Sequence, residues 1–244
     1  MTPKIIFDGE GLRASVMGHE EGPGTADKLF VTFDNWNGNR EGFLPLKTGR
    51  SFVDLGYVHL HLYTARNDWF LAPDLTPALA ALSTFCAPFV RRAGMSFSMG
   101  GNGALLLSRV LKFDQLLFVS PHIAFASPLP HEDIRFASDF VDAPFSQAAQ
   151  AALLEHPCPG TEAVIFYDPG ISLDRAHARV VAEHFEAARL VRLEGGGHPA
   201  SSRIEKANRF GLFIRAATGT EGIDETPVVA AHDALMQIWK KAKL

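Results

Sequence analysis

The sequence predicts a doubly wound α/β protein with a mostly parallel sheet, and three observations carry that expectation. Short runs rich in Val, Ile, Leu and Phe recur along the chain, each closed by Gly, Asp, Pro or Ser, which is how strands buried on both faces read. Stretches with helical spacing lie between them, and strand followed by helix implies crossover connections with the helices covering both faces of the sheet. The chain has 244 residues, 47% of them hydrophobic and 20% charged. A chain of this size can remove roughly 70–75% of its unfolded surface from water, so it needs neither disulfides nor a metal to fold. No repeat of 20 to 50 residues points to a solenoid or propeller instead.

Taken in order, the strands are expected at Lys28 to Phe33, Tyr57 to Tyr63, Gly94 to Phe97, Gln115 to Ser120, Ala163 to Tyr167 and Arg189 to Leu193. Helices are expected at Asp74 to Phe89, Gly100 to Leu111, Asp174 to Ala188 and Ser201 to Ala217. In the third of these, Val180, Val181, His184, Phe185 and Ala188 would form one apolar stripe. Residues 121–160 break the rhythm with several prolines and one helical stretch, Ser146 to Glu155, and read as a cap-like insertion within a single domain spanning 1–244. After the polar, Gly-containing segment Thr218 to Thr226, Pro227 to Leu244 reads as a closing helix.

Charge excludes some functions. With 23 Lys+Arg against 27 Asp+Glu and a net charge of −4, no electrostatic footprint for nucleic acid or an anionic membrane stands out. No apolar run approaches the roughly 20 residues of a spanning helix, and the first residues show no basic stretch with an apolar run behind it, so a cytoplasmic protein is expected. Cys86 and Cys158 are read as unpaired core residues. The partner to expect is a small-molecule substrate, and a homo-oligomer is compatible with all of this.

The densest chemical signal is Ser96-Phe97-Ser98-Met99-Gly100-Gly101, between an expected strand and an expected helix. A serine flanked two residues away on each side by very small residues fits a nucleophile elbow, because the strained turn that projects the hydroxyl leaves no room for larger neighbours. A phosphate-binding turn does not fit, since Gly94, Gly100, Gly101 and Gly103 match neither GxxxxGK[ST] nor GxGxxG. A serine hydroxyl also needs a base, nearly always an imidazole. Of ten histidines, His198 follows the last expected strand through Gly195-Gly196-Gly197 and opens at the same sheet edge as Ser98. His59 and His61 share one face of a strand without a third metal ligand at useful spacing, and His177 and His184 read as packed helix residues.

Together, the serine motif and the Gly195-Gly196-Gly197-His198 turn resemble the α/β-hydrolase superfamily over most of the chain. The resemblance implies an α/β-hydrolase fold with a small cap insertion, and a Ser98-His198-acid triad. The acid must lie between Ser and His in chain order, at or just beyond the penultimate strand. Asp168, directly after Tyr167, is the preferred candidate, with Asp174 as the alternative. Asp174 could equally be the N-cap of the following helix. For the oxyanion hole the resemblance implies two backbone N–H donors, from Met99 and from Asn35 in the segment after Phe33, where Asp34-Asn35 departs from the His-Gly often found there.

These readings point to a serine hydrolase that cleaves a carboxylic ester or thioester through an acyl-enzyme, with no cofactor and no metal. The alternatives are an O-acyltransferase that passes the acyl group to a sugar or other alcohol, or a non-catalytic binding module on the same scaffold. The acyltransferase alternative draws on Val119-Ser120-Pro121-His122, Tyr167-Asp168-Pro169 and the pair Asp174 and His177, which are similar to segments of bacterial hydrolase-like proteins of polysaccharide and glycoprotein modification.

Overall fold

The computed structural model describes residues 2–18, 27–123 and 158–242. Their strands are β1 (Lys4–Asp8), β2 (Leu12–Met17), β3 (Lys28–Phe33), β4 (Val58–Thr64), β5 (Arg91–Phe97), β6 (Gln115–Val119), β7 (Cys158–Tyr167) and β8 (Phe185–Arg192). Their helices are α1 (Arg50–Val53), α2 (Leu75–Cys86), α3 (Gly100–Leu111), α4 (Ser172–Glu183), α5 (Ser202–Lys206), α6 (Gly211–Ala217) and α7 (Thr226–Lys241). The strands form one sheet in the order β1-β2-β4-β3-β5-β6-β7-β8. β1 and β2 are antiparallel to their neighbours, and every pairing from β4 to β8 is parallel.

Strand alternation divides the core into two layers. Leu29, Val31 and Phe33 of β3, Leu116 and Phe118 of β6, and Ala163 and Ile165 of β7 point into a layer closed by α2, α3 and α4. Phe30, Met95, Leu117, Val119, Val164 and Phe166 point the other way, against Phe52 of α1 and Phe213 of α6. All five residues of β6 are buried, as expected of a central parallel strand covered on both faces. Both cysteines are buried and unpaired. Among the described residues, no helix is long and apolar enough to cross a membrane.

The parallel strands end along one edge of the sheet. The segment after β3, the loop after β4, the β5–α3 turn, and the exits of β6, β7 and β8 therefore open together, where open α/β sheets hold their ligands.

The structure corrects several expected boundaries. The stripe at Val180, Val181, His184, Phe185 and Ala188 is not one helix: α4 stops at Glu183, and Phe185 starts the edge strand β8, paired in parallel with β7. Residues 201–217 form two short helices, interrupted near Asn208, which sits at φ 56. β1, β2 and α1 lie outside the expected elements, and β7 starts five residues earlier than Ala163. Of the expected insertion at 121–160, residues 124–157, including Ser146 to Glu155, lie outside the described residues, while Cys158, Pro159 and Gly160 belong to β7.

Candidate active site

Ser98 sits between β5 and α3 with φ 43, a left-handed conformation that a non-glycine residue adopts at a cost of about 1–3 kcal/mol. The turn is fixed from both sides. The Ser98 N–H donates to Val119 O at 3.1 Å, and its carbonyl accepts from the N–H groups of Gly101 at 2.8 Å and His122 at 2.9 Å. The small residue at position 100 has a specific cause. A Cβ on Gly100 would sit 2.8 Å from Asp34 O and 3.1 Å from Phe33 Cβ, so the absence of a side chain lets the segment after β3 lie against the start of α3.

The Ser98 hydroxyl lies 2.8 Å from His198 Nε2, and His198 Nδ1 lies 2.7 Å from Asp174 Oδ2. With Asp174 as an acceptor, Nδ1 carries the proton, and the Nε2 lone pair is left to accept from the Ser98 O–H. Asp174 is 1% exposed, whereas the His198 side chain is 23% exposed, so the pair has a buried end and an open end. Asp174 lies in the first turn of α4, where the positive end of the helix dipole favours a carboxylate.

This geometry corrects the preference for Asp168, whose carboxylate does not bond to His198. Its Oδ1 accepts the N–H groups of Gly170 at 2.9 Å and Gly195 at 3.1 Å, and its Oδ2 accepts Gly197 N–H at 2.9 Å. The reason is directional. At the end of β7 the side chain faces the backbone of the glycine turn, while further on, in the first turn of α4, Asp174 reaches the imidazole. Gly195 and Gly197 take φ 75 and 92, so the turn that carries His198 is built from residues with wide conformational freedom and gains its fixed course from Asp168. Ser120 adds a second anchor through its hydroxyl, which accepts the Ala200 N–H at 3.0 Å.

Asn35 and Met99, expected to supply backbone donors, flank the elbow. Among the described residues neither of their N–H groups donates to a protein acceptor. The unusual Asp34 beside them is fully buried and accepts from Arg40 Nη1 at 3.0 Å, Lys47 Nζ at 3.3 Å and His61 Nε2 at 3.1 Å. Burial alone would raise the carboxyl, but the His61 hydrogen bond and the nearby positive groups overcome it and bring Asp34 down to about 2. Burial pushes His61 down to about 4 and His59 to about 3, so both imidazoles are neutral near pH 7.

These two histidines belong to a directed hydrogen-bond chain. His59 Nε2–H donates to Thr32 Oγ1 at 2.8 Å, Thr32 O–H donates to His61 Nδ1 at 2.6 Å, and His61 Nε2–H reaches Asp34. Among the described residues, no group of three or more His, Cys, Asp or Glu could hold a metal.

Around the elbow, Trp69, Asn102 and Asp68 had no sequence signal beyond their chemistry, whereas His122 and His177 belong to the segments similar to bacterial hydrolase-like proteins. Buried Trp69 donates through Nε1 to His122 Nδ1 at 2.8 Å, and Asn102 Nδ2 donates to Trp69 O at 2.7 Å. The His122 and His177 rings lie 4.4 Å apart, and His177 Nδ1 accepts the Ile123 N–H. In the loop after β4, burial pushes Asp68 up to about 6, opposed by hydrogen bonds from Thr64 Oγ1 and Phe70 N–H. Burial also lowers His184, which caps α4 away from these groups.

No family model matches this sequence, and no curated protein sequence matches it. Solved structures do. A capsule O-acetyltransferase of Neisseria meningitidis serogroup A, a mutant in complex with CoA, aligns over 83% of this chain and 92% of its own, with TM-score 0.53 and 14% identity. A sugar hydrolase from Lactococcus lactis aligns over 98% and 99%, with TM-score 0.50 and 15% identity. Acetyl xylan esterase 1 from a Thermoanaerobacterium species aligns over 82% and 78%, with TM-score 0.50 and 11% identity.

This is the α/β-hydrolase fold. The mostly parallel sheet with its flanking helices is what these structures share with the chain, and identities this low speak for the fold alone. Within the α/β-hydrolase fold, the arrangement at the sheet edge can do one thing well. A hydroxyl aligned on an imidazole nitrogen, with the far nitrogen held by a buried carboxylate, is set up to lose its proton as it attacks an electrophile.

Proposed function

We propose that the protein is a serine hydrolase that cleaves a carboxylic ester or thioester through an acyl-enzyme, with Ser98 as nucleophile, His198 as general base and Asp174 as the orienting acid. The observation that carries this reading is the continuous chain from Ser98 Oγ through His198 to the buried Asp174, starting from a serine in a strained left-handed turn. In the first half-reaction His198 Nε2 takes the hydroxyl proton as Ser98 Oγ bonds to the acyl carbon, and the carbonyl electrons move onto oxygen. The Met99 and Asn35 N–H groups are the donors for that oxyanion, one such donor being worth about 10²–10³ in rate in serine hydrolases generally. The imidazolium then gives its proton to the departing alcohol or thiol, and water repeats the steps in reverse on the acyl-enzyme.

Transfer to an alcohol instead of water would use the same atoms up to the acyl-enzyme. The likeness to the capsule O-acetyltransferase is the reason to test an acceptor as well as water. Treating the purified protein with a fluorophosphonate probe tests the common step: stoichiometric labelling of Ser98, lost in Ser98→Ala and in His198→Ala, is the expected result. A folded protein that is not labelled would overturn the proposal. Adding an alcohol acceptor during turnover of a short acyl ester then separates the two fates of the acyl group by product analysis.

A further inference from the structure

The segment after β3 carries the Asn35 N–H, and its position is governed by a residue that neither labels nor binds anything in the proposed reaction. Arg40 is 1% exposed at its side chain and spends its guanidinium on two loops. Nη2 donates to Asn35 O at 2.6 Å, Nη1 donates to Asp34 Oδ2 at 3.0 Å and to the Thr64 carbonyl, and Nε donates to Asn67 Oδ1 at 3.0 Å. Asn67 continues the clamp, accepting the Asn37 N–H at 3.1 Å and donating to Asn37 O at 2.9 Å. The segment after β3 is thereby tied to the loop after β4 through one planar, rigid fork. Two of its bonds bracket the Asp34-Asn35 peptide, whose N–H is the expected oxyanion donor, while the carbonyl of that peptide packs against Gly100.

From this geometry we propose that Arg40 is a positioning residue that sets the Asn35 N–H for the oxyanion, an inference that rests on the hydrolase reading above. The fork matters more than the charge. Lys47 already supplies a second cation to Asp34, whereas Asn35 O, Asp34 Oδ2, Thr64 O and Asn67 Oδ1 lie around one guanidinium that a single ammonium cannot span. A misplaced donor weakens the transition state and leaves ground-state binding alone, so the effect belongs in kcat.

The test compares wild type with Arg40→Lys, which keeps the buried positive charge, and with Asn67→Ala, which loosens the clamp without touching the charges. The readouts are kcat and KM on a short acyl ester, the inactivation rate with a fluorophosphonate, and thermal melting. Arg40→Lys is expected to lower kcat and the inactivation rate together, by about tenfold or more, with KM within about threefold. Asn67→Ala is expected to show the same pattern with a smaller loss. Unchanged kcat in either folded variant, or a loss confined to KM, would overturn the positioning role while leaving the hydrolase reading intact. A wild-type protein that is itself neither labelled nor active would instead remove the hydrolase reading and this inference with it.

Discussion

The two aspartates give the sharpest division that the structure predicts. Replacing Asp174 by Asn removes the negative charge at His198 Nδ1, and an amide nitrogen turned toward that atom would favour the tautomer with its proton on Nε2, where the Ser98 proton must go. In serine proteases the equivalent change lowers kcat about 10⁴-fold, or about 5.5 kcal/mol of transition-state stabilisation at about 1.4 kcal/mol per decade. A loss of about 10²–10⁴ is expected here, with little change in folding beyond the few tenths to about 1 kcal/mol that a carboxylate gains at a helix N-terminus.

Asp168→Asn should do the opposite. Its amide oxygen can keep the Gly170 and Gly195 bonds, but its NH₂ group then faces the Gly197 N–H, and an unsatisfied buried donor costs about 1–3 kcal/mol. For a chain of this size that lowers Tm by about 3–10 °C. The rate should fall about tenfold or less, because the His198 to Asp174 bond is untouched. The second-order rate constant for fluorophosphonate inactivation measures the chemistry without knowledge of the substrate, and calorimetry measures the stability. If Asp168→Asn loses the greater rate while Asp174→Asn reacts like wild type, the assignment of the acid by geometry is refuted.

Two further outcomes follow from the same structure. Gly100→Ala places a methyl group 2.8 Å from Asp34 O, so it should push the segment after β3 from the elbow and slow fluorophosphonate labelling, with a stability loss of about 1–3 kcal/mol; labelling at the wild-type rate would contradict that close approach. Acid should destabilise the fold early. His59 and His61 titrate near 6.5 when unfolded but near about 3 and about 4 when folded, so between those limits the unfolded chain binds more protons and stability falls as pH drops. From about pH 6.5 to about pH 5 each histidine should account for about 1–2 kcal/mol, less any coupling between them, while Asp34 adds to the loss only below its unfolded value of 3.8, as pH falls towards about 2. Urea unfolding at several pH values measures the slope, and His59→Gln should flatten it.

The sequence was legible where periodicity and packing agree. β3 and α3 have the expected bounds, since an apolar run closed by Asp34 and a small-residue helix start leave little choice. It was misleading at Phe185 to Ala188, where Glu and Ala favour a helix locally but pairing with β7 decides for strand. β1 was missed because Lys4–Asp8 is a largely exposed edge strand with no buried run to announce it. Ser98 and His198 could be found by spacing alone, and they meet in space. The choice between Asp168 and Asp174 could not, because both lie in the required interval and only the direction of each side chain separates them. Arg40 had no signature at all: a single arginine in a polar segment acquires its meaning from four acceptors contributed by residues 34, 35, 64 and 67.

The supports around the site share one physical design. The two loops that carry groups of the proposed reaction, 34–37 and 194–198, are irregular, and irregular backbone brings polar groups that strands and helices do not satisfy. Charged side chains meet some of those backbone groups in each loop. Asp168 takes N–H groups from the glycine turn and Arg203 its Gly195 carbonyl, while Arg40 takes the carbonyls of Asn35 and of Thr64 at the end of β4. Around Asn35, Arg40 gathers only carbonyl and carboxylate oxygens, which leaves the Asn35 N–H for the oxyanion of the proposed reaction. A carboxylate in place of Arg40 would compete for that donor and would repel Asp34 as well, so the guanidinium is the choice compatible with an N–H kept for chemistry.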